Sequence, residues 1–97
     1  MLTISGTIRR TETPDGAILL DIEQGQLFSV NPVGSQILDL IGAGCNEAQI
    51  ADRLSIAFGA DIDTVRRDVH EFLESLSRQN IVFGIERATK DGDDGRT

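Results

Sequence analysis

The sequence predicts an α+β domain, a three-stranded antiparallel sheet followed by three helices. Three observations carry this. The first thirty residues alternate apolar and polar side chains around two turn signals, whereas residues 32–76 carry apolar side chains at helical spacing. The two patterns change over at a single Asn-Pro step, Asn31-Pro32.

Residues 2–11 alternate loosely, with Leu2, Ile4 and Ile8 on one side and Thr3, Ser5 and Thr7 on the other, as in a half-buried strand. Thr13-Pro14-Asp15-Gly16 is a turn, because proline presets φ and Asp and Gly favour turn positions. Ala17 to Ile22 is the second strand, and Glu23 to Gln26, with Gly25, forms a hairpin loop. Leu27 to Asn31 is the third strand, with Phe28 and Val30 pointing one way and Leu27 and Ser29 the other. Asn31 is a good N-cap and Pro32 a preferred first helical residue, so a helix begins there, with Val33, Ile37, Leu40 and Ile41 at helical spacing. Gly42-Ala43-Gly44 ends it. Asn46 and Gln49 form a capping box for a second helix that turns Ile50, Ala51, Leu54 and Phe58 inward and stops at Gly59. Asp61 or Asp63 caps the third, whose apolar stripe is Ile62, Val65, Val69, Phe72, Leu73 and Leu76. The domain spans residues 1–85, and the polar, Gly-rich stretch 86–97 is expected to be disordered.

At 97 residues the chain is one domain with a modest aliphatic core, holding four Phe and no Trp or Tyr. Its formal charge is −7, spread along the chain, so the basic footprint of nucleic-acid binding is missing and anionic membranes are disfavoured. Cys45 is the sole cysteine, which excludes an internal disulfide and suits a reducing compartment. With no signal-peptide pattern and no long apolar run, the cytoplasm is the expected location.

Chemistry-bearing residues are sparse. One Cys and one His cannot furnish a zinc site without unusual help from surface acids, and no nucleophile–base constellation is legible. His70, Glu71 and Glu74 read as the solvated side of the third helix. Gly42 to Gly44 is too short for a phosphate cradle. A binding protein without metal or cofactor is expected, not an enzyme.

Leu19 to Asp21, Gly25 to Asn31, Gly34 to Leu38, Ile50 to Leu54 and Asp68 to Leu76, in that order and spacing, resemble the PqqD family, named after the D component of pyrroloquinoline quinone biosynthesis. The resemblance covers about residues 15–82 and implies a winged helix-turn-helix-like fold. It also implies a role: recognition of the leader segment of a ribosomally made precursor peptide, and its delivery to modifying enzymes. The Asn31-Pro32-Val33-Gly34 run looks most like stand-alone members from lasso-peptide pathways, whose partners are a leader peptidase and a macrocyclase; members serving radical-SAM enzymes share much of the pattern.

By that resemblance the leader adds as a strand to Leu27, Phe28, Ser29, Val30 and Asn31, and the third helix walls the groove. An unpaired edge invites such addition, main-chain hydrogen bonds giving affinity and side-chain pockets giving specificity. Phe28, Val30, Val69, Phe72 and Leu73 would supply apolar surface, although core packing explains most of them equally well. Arg66 and Arg67 would pair with acidic leader side chains, and a solvated helix face also accounts for them. Proline at Val30 is expected to block the added strand by removing a donor. The exposed face of the second helix is left for an enzyme.

Two alternatives share these features. A winged-helix DNA-binding regulator needs a basic recognition helix, but residues 61–82 carry three Arg against five acids. A non-catalytic subunit of a modifying enzyme would need no peptide contact of its own. The same edge also permits a homodimer by self-pairing.

Overall fold

The computed structural model describes residues 1–85; the stretch expected to be disordered lies outside the described residues. The order is β1 (Thr3–Ile4), β2 (Ile8–Thr13), β3 (Gly16–Asp21), β4 (Gln26–Val30), α1 (Pro32–Gly42), α2 (Glu47–Phe58), α3 (Ile62–Arg78) and β5 (Val82–Phe83). β2, β3 and β4 form the antiparallel meander, and the expected sheet-then-helices order holds. The likeness to a winged helix is loose, because a second small sheet of β1 and β5 joins the two ends of the domain.

That second sheet is where the expected first strand divides. Ser5 Oγ lies 2.9 Å from Thr7 Oγ1 and accepts from the Thr7 N–H, while Ile8 N–H donates to the Ser5 carbonyl. These local bonds turn the chain at Gly6 and compete with continued strand pairing. Thr3 then opposes Phe83 and Ile4 opposes Val82.

The helix ends follow their sequence signals. Asn31 accepts from the Gly34 N–H at 2.8 Å and Pro32 takes the first helical position. Asn46 and Gln49 exchange both capping-box bonds at 2.8 Å. Gly59 caps α2 in the left-handed region, and Asp61 rather than Asp63 caps α3. Asn80, at φ 62°, closes α3: its N–H reaches the Ser77 carbonyl and the Ile81 N–H reaches Leu76, a Schellman arrangement that sends the chain into β5.

One sheet face carries the core. Ala17, Leu19 and Val30 meet Ile37, Leu38 and Ile41 of α1, with Ile50, Leu54, Val69, Leu73 and Leu76 behind them. Phe58, expected inward, is 54% exposed, because it occupies the last helical position beside the Gly59 cap. Val33, also read as part of the α1 stripe, is exposed on the first turn, and Leu38 is buried in its stead. The other sheet face leaves Ile18, Leu20 and Leu27 in solvent.

Candidate functional site

The site begins with the phase of the sheet's hydrogen bonds. β3 pairs with β4 in the register Ala17–Val30, Ile18–Ser29, Leu19–Phe28, Leu20–Leu27 and Asp21–Gln26. Beyond the ladder, Ile22 N–H donates to the Thr7 carbonyl at 3.0 Å and Gly25 N–H donates to the Asp21 carbonyl at 2.7 Å. Even-numbered residues of β3 therefore turn their main-chain groups toward β2, and odd-numbered ones toward β4. Opposed residues in an antiparallel pair alternate between bonded and non-bonded pairs. Phe28 and Val30 thus spend their N–H and C=O groups on β3, while those of Leu27 and Ser29 face the outer edge.

No strand covers that edge among the described residues. Its reach is set at both ends by local structure. At one end Asp21, 2% exposed, accepts from the Glu23 and Gln24 N–H groups and fixes the hairpin loop. At the other, the Asn31 carbonyl accepts from Ser35 N–H at 2.9 Å and its side chain caps α1, so the strand cannot extend. Gly16 permits the close pairing there: its φ is +134°, and a Cβ would overlap the Val30 carbonyl oxygen.

α3 meets the Val30 end of β4 through the ring of Phe72. A Cβ on Gly34 would stand 2.9 Å from Phe72 Cζ, 3.1 Å from Phe72 Cε1 and 3.1 Å from Val30 Cβ. Phe28 on β4 and Val65 and Phe72 on α3 are each half-buried against the core, with part of their apolar surface exposed. Arg66 and Arg67 stand exposed on the second turn of α3. Arg67 Nε lies 4.0 Å from Asp68, and Arg66 has no ion pair among the described residues.

Not every expected contact residue is available. Val69 is 2% exposed and Leu73 is fully buried, so the apolar surface expected of them is consumed by the core. Val30 is 9% exposed, and its N–H is engaged with β3, so proline there would break the sheet itself and would not, as expected, remove a donor from an added strand. His70 is no bare surface residue: Nδ1 lies 2.8 Å from Glu47 of α2 and Nε2 3.7 Å from Glu74, which joins the two helices. Gly34, which lets α3 and α1 meet at the wall, was within reach of the sequence as part of Gly34-Ser35-Gln36, but its packing reason was not. The exposed helical face also carries a groove of about 440 Å³ between α1 and α2, bounded by Leu40, Arg53 and Ile56.

Of the sheet's two unpaired edges, β2 and β4, it is β4 that has a helix-borne aromatic ring, Phe72, at its Val30 end, an arrangement suited to a peptide-binding module; no group of three or more His, Cys, Asp or Glu is placed to hold a metal among the described residues. The chain belongs to the PqqD family: the model of that family, described as coenzyme PQQ synthesis protein D, matches residues 16–82. It is similar to TbiB1, solved in complex with the TbiA(beta) leader peptide, at 28% identity and a TM-score of 0.81, covering 88% of this chain and 99% of that one. Its fold is also shared by a lasso peptide synthetase B1 complexed with the leader peptide, at 20% identity and a TM-score of 0.79, over 86% of this chain and 98% of the other. No curated protein matches the sequence.

Proposed function

We propose that this chain binds the leader segment of a ribosomally made precursor peptide by strand addition at β4 and presents it to modifying enzymes. The observation that carries the reading is the open edge at Leu27 and Ser29, in a chain whose similar structure TbiB1 is held with a leader peptide. The leader's main chain pairs with the free N–H and C=O groups of Leu27 and Ser29. Its inward side chains rest on Phe28, Val65 and Phe72, and Arg66 and Arg67 offer guanidinium forks to acidic leader side chains. Val30, Val69 and Leu73 support this wall from behind, and Asn31 ends the edge by capping α1.

The role is binding and presentation rather than catalysis, in the cytoplasm where precursor peptides are made. The receiving enzyme is a leader peptidase with its macrocyclase, as in lasso-peptide pathways, or a radical-SAM enzyme. Ile56 and Phe58, exposed on α2 and far along the chain from the edge, are the surface we assign to that enzyme.

The test is a fluorescence-anisotropy titration with the labelled leader of the precursor encoded beside this chain, and duplex DNA as control. Saturable leader binding with a silent control supports the reading. DNA binding that strengthens steeply as salt falls, with no leader binding, would replace it by a DNA-binding role.

A further inference from the structure

Gly34 sits in α1, in ordinary helical backbone, and not in the left-handed region. Glycine there costs helix stability relative to alanine, so its presence needs a packing reason. That reason is the ring of Phe72: any side chain at residue 34 would begin 2.9 Å from Cζ and 3.1 Å from Cε1, with Val30 Cβ also at 3.1 Å. Val30 is held by its pairing with Ala17 and by the core, and Gly34 itself by the Asn31 cap bond. Of the three groups that meet here, the half-buried Phe72 ring is the one with room to move, toward its exposed side, which the leader-binding reading places in the groove beside β4.

We infer that Gly34 is a positioning residue for peptide recognition: its missing Cβ seats the Phe72 ring at the back of the groove and keeps the inner end of the β4 edge open to a peptide side chain. This rests on the leader-binding reading above. A Cβ at residue 34 would push the ring into the space that the peptide occupies. The loss would arise at a residue that touches no peptide, and would be transmitted chiefly through Phe72, the nearest group to the new Cβ.

Two measurements test it. In the free protein, the Phe72 ring resonances are compared by NMR between wild type and Gly34→Ala, with thermal unfolding recorded alongside. We expect the ring signals to move while the chain stays folded. In titrations with the labelled leader, Gly34→Ala should weaken binding by about tenfold, as expected for modest overpacking. Phe72→Leu removes the ring atoms that the new Cβ would meet, so adding Gly34→Ala to Phe72→Leu should change affinity less than about twofold. Equal losses in the two backgrounds, or wild-type affinity in Gly34→Ala, would overturn the inference. If wild type itself fails to bind the leader, the leader-binding reading falls, and an unmoved Phe72 ring would then overturn the positioning role as well.

Discussion

Arg10 Nη2 lies 2.6 Å from Ser35 Oγ and 3.0 Å from the Ser35 carbonyl, so one guanidinium nitrogen ties β2 to the first turns of α1. The same nitrogen reaches Asp39 at 2.9 Å, and Nε sits 2.6 Å from Glu12 as an ion pair whose N–H does not point at the oxygen, leaving Nε without a hydrogen bond. Glu12 and Asp39 are mostly exposed, so the Ser35 bonds, not the ion pairs, carry the energy. Arg10→Ala should cost about 2 kcal/mol, the range for hydrogen bonds to a charged group, and a Glu12→Gln, Asp39→Asn pair much less. Urea unfolding of the variants checks both.

Proline placement tests the phase of the edge. Ser29→Pro removes an N–H that faces outward, so the chain should fold and lose leader binding. Val30→Pro removes one that pairs with Ala17 and should unfold the hairpin. Circular dichroism with a leader titration separates them. A folded Val30→Pro beside an unfolded Ser29→Pro would show that the alternation runs the other way.

Asn31 is a cap before it is a peptide contact. Asn31→Ala should lower stability by about 1 kcal/mol, and Asn31→Asp should retain most of it, since aspartate also accepts from the Gly34 N–H. Thermal melts of the two variants are sufficient. Equal stability of Asn31→Ala and wild type would remove the cap from the account.

Phe58 and Leu54 lie one turn apart on α2 with opposite expectations. Phe58→Ser should change stability by no more than about 0.5 kcal/mol, as at exposed positions. Leu54→Ala, at 5% exposure, should cost about 2–5 kcal/mol through the cavity it leaves. Chemical denaturation measures both, and a large loss at Phe58 would place it back in the core.

Where sequence reading succeeded, the determinants were local. The Asn31, Asn46 and Asp61 caps, the Gly25 loop and the helical stop at Gly59 each depend on residues within a few positions. Asn80 is an equally local signal for the end of α3, but a weaker one, because Asn is a less frequent left-handed cap than Gly. Phe58 departs from the expected stripe because periodicity carries the stripe to the end of a helix whether or not anything packs there.

The sequence by itself determined the order of sheet and helices, the caps that bound them, and the family, because each is written in short-range spacing and residue type. Only the tertiary structure decided which main-chain groups of β4 stay free, because that phase depends on strand register fixed by two turns at once. It also decided that Phe72 is half-buried while Leu73 is fully buried, that β1 closes on β5, and that a Cβ at Gly34 would crowd the Phe72 ring. These are meetings of residues distant in sequence, and close packing, unlike local propensity, leaves no mark until the elements are brought together.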